Sequence, residues 1–409
     1  MLEQTISPGL GLHPSVPTSA SRAINQIKVL HVVNGEHFSG AERVQSHLGR
    51  CLPQFDVAAD FACVKPGKFA EMVDEQQGKW GTGFRTNMNH RFDLRPVRFI
   101  RDLVHEHHYD MLHAHTPRTA MVASMVSKWT GVPWIYHVHS PASRDSTRFL
   151  TNQINAWIEK QTFRNCKHLI TVSESLRLDC IRQGVSEDKV TVVHNGVPAI
   201  RPPRQNTPKV GGTWTIGMIA LMRPRKGLEI AIDAIAELDR RGHDVRLRVI
   251  GPFESEEYRS EIEARIATRG VEHRLERVGF VDDVPLALSK LDAMVLPSLF
   301  GEGLPMVVLE AMAAAVPVVA TRVEGTPEAI THGLEGLLAE PRNALSLARE
   351  IESLVAGEYD WTQMSEAAFD RHRRSFSDLA MARDTAAVYR SLSQPKAMTG
   401  SSRQSVARI

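Results

Sequence analysis

The sequence lacks most features that mark secreted, membrane-spanning or nucleic-acid-binding proteins. Its 409 residues include only 4 cysteines, far apart and without a Cys-x-x-Cys pair, which predicts reduced thiols in a cytoplasmic protein. No apolar run is long enough to span a bilayer, and no basic start is followed by an apolar core, so neither a membrane helix nor a signal peptide is predicted. With 49 basic and 47 acidic residues the chain is nearly neutral, so no nucleic-acid partner is expected.

What the chain does contain is a repeated alternation of short apolar strands and amphipathic helices. In the first half, strands are predicted at 27–33, 56–64, 111–115, 134–139, 168–172 and 190–193, and helices at 41–52, 119–130 and 151–164. The alternation restarts with strands at 213–221, 246–250, 274–279, 293–297 and 317–321. This pattern predicts an α/β protein with two doubly wound, Rossmann-like domains, which bind ligands at the carboxyl ends of their parallel strands.

Composition divides the chain into segments. Residues 1–26, rich in Ser, Pro and Gly, are predicted to form a flexible leader, and the proline-rich stretch 198–212 a linker. The predicted units are a first domain at 27–197, a second domain at 213–376, a helix at 377–392 and a disordered polar tail at 393–409.

The most informative segment is 297–310, Pro-Ser-Leu-Phe-Gly-Glu-Gly-Leu-Pro-Met-Val-Val-Leu-Glu. It follows an apolar strand end and carries a glycine turn, after which Pro305 is predicted to open a helix. Free backbone N–H groups, including those of Gly303 and Leu304, and the positive end of the helix dipole suit a phosphate. Glu302 and Glu310 would repel that phosphate, but ionised carboxylates accept hydrogen bonds from sugar hydroxyls. The segment therefore predicts a nucleotide-sugar site.

This segment resembles the Glu-x7-Glu motif of the GT4-type retaining glycosyltransferases, a family with the GT-B fold. The context is similar too: Phe-Gly-Glu-Gly-Leu-Pro is followed by Glu-Ala-Met, by Pro317-Val-Val-Ala-Thr and by Glu324-Gly-Thr-Pro-Glu328. The resemblance extends over nearly all of residues 27–392. It implies two domains that face each other across a cleft, with the acceptor on the first, the nucleotide-sugar on the second, and the last helix packed back on the first.

A basic turn opens the second domain, in Gly217-Met-Ile-Ala-Leu-Met-Arg-Pro-Arg-Lys-Gly227. Fixed cations at such a turn neutralise a diphosphate and the charge on a departing nucleoside diphosphate. The family usually has an arginine five or six positions before the lysine, where this chain has leucine and alanine. Lys226 matches the family's lysine, and Arg223 is the expected substitute for the displaced arginine. Arg225 could face solvent, and a solvated basic turn is the alternative for all three.

The loop after the first strand is Asn34-Gly-Glu-His-Phe-Ser-Gly-Ala-Glu-Arg43. Gly40 resembles the glycine that many family members place opposite the donor phosphates, because glycine allows close approach of the backbone. The alternative is a helix cap by Ser39, with Glu42 completing a capping box.

Two His-x-His pairs end consecutive predicted strands, His113 with His115 and His137 with His139. Alternate strand residues share a face, so the imidazoles could converge on zinc, which makes a His-ligated metal hydrolase the alternative from another class. No further cluster with ligand-like spacing supports it. The family resemblance instead assigns His139 to a strand end that contacts the donor hexose and supports transition-state charge. The other three are predicted to be partly buried strand-end histidines.

Two further loops complete the predicted cleft. Ser140 and Arg144 are candidates for acceptor contact, and a satisfied loop network is the alternative. Phe280 and Val281, in Gly279-Phe-Val-Asp-Asp283, resemble the loop whose backbone holds the nucleobase; a plain strand-to-helix turn is the alternative.

The chain has no Asp-x-Asp triplet, which glycosyltransferases of the other major fold use to hold a metal against the diphosphate. We therefore expect no metal and no cofactor. The resemblance implies a retaining hexosyltransferase with a nucleoside diphosphate sugar as donor and a glycan or lipid-linked acceptor. A UDP-sugar is the leading candidate for the donor. Bacterial cell-surface polysaccharide or glycolipid synthesis is the expected setting. A nucleotide-sugar epimerase of the same architecture is the alternative.

One basic stripe bears on location. Arg95, Arg98 and Arg101 recur every third residue in a predicted amphipathic helix of the first domain. Such a stripe could rest on anionic lipid at the inner face of the membrane. A solvated helix face is the alternative.

Overall fold

The computed structural model describes residues 26–37, 40–76, 78–90, 93–140, 165–200 and 207–393. Two parallel sheets, of seven and six strands, form the centres of two α/β domains. The predicted fold class is confirmed. The predicted helix at 151–164 and most of the predicted leader and tail lie outside the described residues.

The first sheet has the strand order β3-β2-β1-β4-β5-β6-β7, with every pair parallel. Its strands are β1 (Ile27–Val33), β2 (Val57–Cys63), β3 (Gly83–Arg85), β4 (Met111–Ala114), β5 (Trp134–Val138), β6 (His168–Thr171) and β7 (Val190–Val192). The described helices around it are Gly40–Cys51, Lys68–Glu75, Arg95–His107, Pro117–Thr130 and Glu174–Arg182. Strands β4, β5 and β6 are buried along their whole length, as expected for parallel strands covered on both faces.

The second sheet repeats this plan in the order β10-β9-β8-β11-β12-β13, again all parallel. Its strands are β8 (Trp214–Ile219), β9 (Val245–Ile250), β10 (Leu275–Gly279), β11 (Ala293–Leu296), β12 (Val318–Thr321) and β13 (Gly336–Ala339). Its helices are Leu228–Arg240, Glu256–Arg269, Val284–Ser289, Met306–Ala313, Thr326–Ala329, Ala344–Val355 and Trp361–Arg371.

Two strands, β3 and β13, were not predicted from the sequence. Each has only three or four residues. A run this short carries too few alternations to show a period. Both are edge strands, where pairing on one side suffices.

The last helix, Asp378–Ser393, packs against the first domain. Asp378 pairs with Arg50, and the ammonium of Lys167 donates to the carbonyl of Leu392 at 2.7 Å. A Cβ on Gly196 would lie 2.3 Å from the carbonyl oxygen of Ser377, so the crossing of the chain there requires glycine.

Within the described ranges, no helix is long and apolar enough to cross a membrane.

Candidate active site

A cleft of about 1080 Å³ lies between the two domains. The loops that line it follow β1, β4, β5 and β7 in the first domain and β8, β9, β10 and β11 in the second. In each sheet the strand order reverses beside the first strand, between β1 and β4 and between β8 and β11. Loops diverge at such a switch point, which is where open α/β sheets bind ligands.

The Glu302 turn forms the floor of the second-domain side. Glu302 is 5% exposed, and its Oε1 accepts from the hydroxyl of Ser298 at 2.6 Å. The hydroxyl of Thr321, at the end of β12, donates to the carbonyl of Ser298 at 2.5 Å. Pro305 is the cap residue of the helix Met306–Ala313, so this helix begins one residue later than predicted. The turn is therefore fixed by bonds to the neighbouring strand.

Lys226 contacts this carboxylate directly. Its Nζ lies 2.5 Å from Oε1 of Glu302, at the end of a short 3-10 helix, Pro224–Lys226. Gly227 then takes φ +73°, and a Cβ there would lie 2.1 Å from the carbonyl oxygen of Pro297. Only glycine lets the two loops approach this closely.

Burial and charge act against each other in this pair. Burial lowers the pKa of Lys226, with the Glu302 carboxylate opposing that change. Burial disfavours ionisation of Glu302, but Lys226 and Arg225 outweigh it and hold the pKa of Glu302 below its ordinary value. Glu302 is therefore an ionised acceptor at neutral pH. Among the described residues, the hydrogen bonds to its carboxylate from Lys226 and Ser298 both go to Oε1.

Of the two arginines of the basic turn, Arg225 lies elsewhere than expected. The guanidinium of Arg225 donates to the carbonyl of Gly301 at 3.1 Å and lies 3.7 Å from Glu302, with its side chain only 13% exposed. The alternative that Arg225 faces solvent is therefore wrong. Arg223 lines the cleft and lies 3.5 Å from Glu254. Arg225, not Arg223, is the arginine beside the Glu302 turn.

Glu310, inside the helix, pairs with a residue of the other domain. Arg43, from the first helix of the first domain, donates to its Oε1 across the cleft. Burial raises the pKa of Glu310, and Arg43 opposes that rise. Both residues belong to segments that were predicted to face the cleft, but their pairing was not predicted, because 267 residues separate them along the chain.

Gly303 brings the domains together at His139. A Cβ on Gly303 would lie 2.1 Å from the carbonyl oxygen of His139, and one on Gly325 would lie 1.7 Å from that of Gly303. The carbonyl of Leu304 accepts from the amide of Asn195 at 3.1 Å. Glycine is thus needed at both positions for this layered contact.

The predicted histidines lie behind this contact. His113 and His137 are fully buried, deeper than predicted, and His139 lines the cleft with Nε2 3.1 Å from Nδ1 of His115. Burial lowers the pKa of His139 to about 4, so its imidazole is neutral at pH 7. His31, in β1, joins the cluster and was missed from the sequence. Ligand nitrogens lie within 4.8 Å of one another in two groups, His31 with His113 and His115, and His115 with His137 and His139.

The remaining predicted residues either line the cleft or lie outside the described residues. The residues that line the cleft are Gly40, Ser140, Phe280, Val281, Leu304 and Pro305. Gly40 begins its helix and faces the other domain, where a Cβ would lie 3.7 Å from Cγ of Met306. Arg144 lies outside the described residues, as does the proposed cap Ser39.

A further interdomain contact involves Glu328, which ends the Glu324-Gly-Thr-Pro-Glu328 motif. Its carboxylate accepts from the backbone N–H groups of Glu174 at 2.7 Å and Ser175 at 2.9 Å, and from His194 at 3.3 Å. The first two groups begin a first-domain helix, whose N-terminus favours a negative charge. Burial disfavours ionisation of Glu328, but these donors lower its pKa on balance. The motif was visible in the sequence, but its partner was not.

Family comparison decides what kind of protein has this cleft. Residues 201–371 match the family described as glycosyl transferases group 1, and residues 38–201 match glycosyltransferase family 4. The chain belongs to the GT4-type glycosyltransferases. It is a transferase with the GT-B fold, as the sequence motifs indicated, so the metal-hydrolase and epimerase alternatives are not supported.

Individual relatives agree. The UDP-Gal:α-D-GlcNAc-diphosphoundecaprenol α-1,3-galactosyltransferase of Escherichia coli is 24% identical over 333 residues, 77% of this chain and 84% of that protein. A glycogen synthase of Mycobacterium tuberculosis is 29% identical over 294 residues, 68% of each chain. The crystal structure of Anabaena Alr3699/HepE in complex with UDP and glucose matches with a TM-score of 0.77 at 21% identity, covering 90% of this chain and all of that one. The structural match shows the shared fold.

Proposed function

We propose that this glycosyltransferase moves a hexose from a nucleoside diphosphate sugar to a hydroxyl of a glycan or lipid-linked acceptor, with retention at the anomeric carbon. Among the possible donors, a UDP-sugar is the leading candidate. The observation that carries the proposal is the buried Lys226–Glu302 contact beside Arg225, at the glycine turn that faces the first domain. It combines fixed cations for a diphosphate with a fixed acceptor for a sugar hydroxyl. The E. coli relative is named for a UDP-sugar donor and a diphosphoundecaprenol-linked acceptor, which supports both choices.

The chemistry requires charge compensation at the leaving group. The bond between the anomeric carbon and the phosphate oxygen breaks, and negative charge develops on the departing diphosphate. Lys226 and Arg225, with Arg223 at the rim, stabilise that charge, together with the N–H groups of Gly303 and Leu304. This electrostatic role requires no metal ion.

Retention follows from attack on the face that the leaving group vacates. The acceptor oxygen forms the new bond on that face, and the departing phosphate oxygen takes the acceptor's proton. No carboxylate in the predicted site is a convincing covalent nucleophile. Closure of the cleft excludes water and suppresses hydrolysis of the donor.

The carboxylates have separate roles in this scheme. Glu302 accepts from a hexose hydroxyl through the carboxylate that Lys226 holds in place. Glu310 accepts from the ribose hydroxyls, and for this it must share or exchange its contact with Arg43. His139, on the opposite wall, contacts the hexose.

We further propose that the protein works at the cytoplasmic face of the membrane, in polysaccharide or glycolipid synthesis. Relatives include a putative colanic acid glycosyltransferase of Salmonella typhimurium and an amylovoran biosynthesis glycosyltransferase of Erwinia amylovora. A lipid-linked acceptor would be presented at such a surface. Leu94 and Trp129, near the basic helix of the first domain, are 41% and 50% exposed and suit contact with lipid.

The experiment is a thermal-shift panel of UDP-, GDP- and ADP-sugars, followed by mass spectrometry of the products formed with cell-envelope lipid extracts. We expect one sugar nucleotide to raise the unfolding temperature of the wild type and to yield a product one hexose heavier. Glu302→Gln should give neither, while the matched exposed variant Glu340→Gln should give both. Conversion of the donor to an isomeric nucleotide-sugar without an acceptor would overturn the proposal.

A further inference from the structure

Five histidines lie together toward the carboxyl ends of three neighbouring strands of the first sheet. They are His31 in β1, His113 and His115 in and directly after β4, and His137 and His139 in and directly after β5. Alternate residues of a strand share a face, so each His-x-His pair is side by side, with ring centroids 4.2 and 4.3 Å apart. The cluster therefore brings many metal-ligating nitrogens to one wall of the cleft.

Three of these histidines, His115, His137 and His139, have nearly the spacing of ligands on one ion. One ring nitrogen of each lies within 4.8 Å of the other two. The closest measured pair is Nδ1 of His115 and Nε2 of His139, which are 3.1 Å apart. Zinc–nitrogen bonds of about 2.0–2.1 Å at tetrahedral angles place ligand nitrogens about 3.4 Å apart, so the widest pair needs to close by about 1.4 Å at most.

His137 is the residue that favours an ion. It is fully buried, and neither of its ring nitrogens has a hydrogen-bond partner among the described residues. A neutral imidazole has one N–H and one lone pair, and burial without partners costs free energy. A metal ion would use that lone pair. The rings of His137 and His139 are only 18° from parallel, so the lone pairs converge after rotation about the Cβ–Cγ bond, and rotation of His137 breaks no hydrogen bond within the described chain.

The second nitrogen of His115 already has the kind of partner that metal-bound histidines have. Its Nε2 lies 2.9 Å from Nδ1 of His31. With Nδ1 of His115 on a metal, Nε2 carries the hydrogen and donates it to His31. Such a bond from the outer nitrogen fixes the orientation of a ligating ring. The one ring-to-ring bond that an ion replaces is the bond between His115 and His139, whose two nitrogens become ligands.

The donor set indicates which ion would bind. The group consists of three imidazoles, and within the described ranges no carboxylate or thiolate belongs to it. Imidazole nitrogens suit Zn²⁺ and similar transition metal ions, whereas Mg²⁺ and Mn²⁺ prefer oxygen ligands. His115 and His139 line the cleft, so the remaining coordination position faces the cleft, as in three-histidine zinc sites that keep one position for an exchangeable ligand.

We propose that His115, His137 and His139 form a binding site for one Zn²⁺ or a similar divalent transition metal ion in the first-domain wall of the cleft. An ion there holds the imidazole of His139, so that the ion and the donor hexose exclude each other. This consequence rests on the proposed contact between His139 and the hexose, whereas the metal site itself does not. Transfer needs no ion, and Zn²⁺ acts as an inhibitor that competes with the donor.

The test of the site is titration of the full chain, treated first with a chelator, with ZnCl₂ by calorimetry and with Co²⁺ by visible spectroscopy. We expect one saturable site and the absorption bands of tetrahedral Co²⁺. His137→Phe removes a ligand but keeps an aromatic ring, and should weaken Zn²⁺ binding by about 100-fold or more. The matched control is His47→Phe, at another buried histidine whose Nε2 has no partner among the described residues, and it should bind as the wild type does.

Three results would overturn the site: no saturable binding by the wild type, the same affinity in His137→Phe, or fewer than three imidazole ligands in the X-ray absorption spectrum of the wild-type zinc complex. The X-ray absorption spectrum decides even if His137→Phe does not fold.

Kinetics test the competition with the donor. Zn²⁺ should raise the KM for the donor without lowering kcat in the wild type and in His47→Phe, and about 100-fold more Zn²⁺ should be needed in His137→Phe. Because Zn²⁺ also binds diphosphates in solution, the difference between the two variants is the measurement. Equal inhibition of both variants would overturn the competition. If the wild type turns over no nucleotide-sugar, the proposed function fails while the titrations still decide the site.

Discussion

The ammonium of Lys226 lies 2.5 Å from Oε1 of Glu302, and the two side chains are 13% and 6% exposed. A buried ion pair is weak evidence for stability, because desolvation of both charges offsets their attraction. Its position at the floor of the cleft gives it another use. The pair holds a cation and an acceptor in fixed positions before a donor arrives, so no reorganisation is needed during the reaction.

Removal of the cation should therefore affect both turnover and stability. We expect Lys226→Met to lower kcat by about 100- to 1000-fold, the range seen when one preorganised charge stabiliser is lost. It should also lower the unfolding temperature, because Glu302 is left as a buried charge without its nearest partner. Steady-state kinetics and differential scanning calorimetry measure the two effects.

The double variant Lys226→Met/Glu302→Gln separates the effect on turnover from the effect on stability. It should recover part of the stability that Lys226→Met loses, since no charge is left stranded, but none of the activity. Arg277→Met, which breaks the more exposed pair with Glu263, is the control and should leave kcat unchanged. Near-normal activity in Lys226→Met would refute the assignment of this site.

Arg43 is expected to control the pH range of donor binding through Glu310. Burial raises the pKa of Glu310 and Arg43 opposes the rise, so Arg43→Met should move that pKa higher still. As pH falls, Glu310 is then protonated at a higher pH in Arg43→Met than in the wild type. Isothermal titration calorimetry of donor binding between pH 5 and pH 8 should therefore show the loss of donor affinity beginning at a higher pH in Arg43→Met than in the wild type.

The control for Arg43 lies on the same helix. Arg50 pairs with Asp378 away from the cleft, so Arg50→Met should keep the wild-type pH profile. Identical profiles for all three proteins would mean that Glu310 does not accept from the donor.

The sequence predicted the fold well because its signals are local. Strand and helix periods, a glycine turn and a cap position all lie within a few neighbouring residues. Contacts between distant parts of the chain are different: Lys226 and Glu302 are 76 residues apart, and Arg43 and Glu310, which meet across the cleft, are 267 apart. No period or spacing encodes such distances.

The position of Arg225 was missed for a related reason. Which arginine contacts Glu302 depends on the conformation of the 3-10 helix Pro224–Lys226 and of Gly227, which packs on Pro297. The pattern of charges alone does not give that conformation. The hydrogen bonds of the buried histidines were missed in the same way, because Tyr389, which contacts His113 and His31, comes from the final helix.

Glu328 should stabilise the contact between the domains in a pH-dependent way. Its pKa is lowered in the folded state, so its stabilisation is complete above the unfolded value and is lost as pH falls through the folded one. We expect Glu328→Gln to lower the free energy of unfolding by about 1–2 kcal/mol at pH 7, because its hydrogen bonds no longer have a charged acceptor.

Thermal unfolding at pH 7 and near pH 4 measures this difference. The gap in unfolding temperature between wild type and Glu328→Gln should narrow at the lower pH. Glu340→Gln, at a carboxylate that is 65% exposed and 3.7 Å from Arg322, should show no gap at either pH. A gap of the same size at both values would contradict the role given to the charge.

The membrane contact should be weaker than the arginine spacing predicts. Arg95 pairs with Asp93 and Arg101 with Asp102, so part of the positive charge is compensated within the chain. Trp129 is 50% exposed and lies under the guanidinium of Arg101 at 5.9 Å. We expect cosedimentation with vesicles that contain anionic lipid, reduced by salt and by Trp129→Ala.

Leu345→Ala, at a residue of the second domain that is 58% exposed, is the matched control and should bind vesicles as the wild type does. Equal binding to anionic and neutral vesicles, unaffected by salt, would remove the membrane from the proposed function.

The most direct test of the central claim is the anomeric configuration of the product, read from proton NMR coupling constants after incubation with the stabilising nucleotide-sugar and its acceptor. A retaining hexosyltransferase built on Lys226 and Glu302 gives a glycoside with the configuration of the donor, and Glu302→Gln gives almost none. A product of inverted configuration, or one formed at an undiminished rate by Glu302→Gln, would contradict the account.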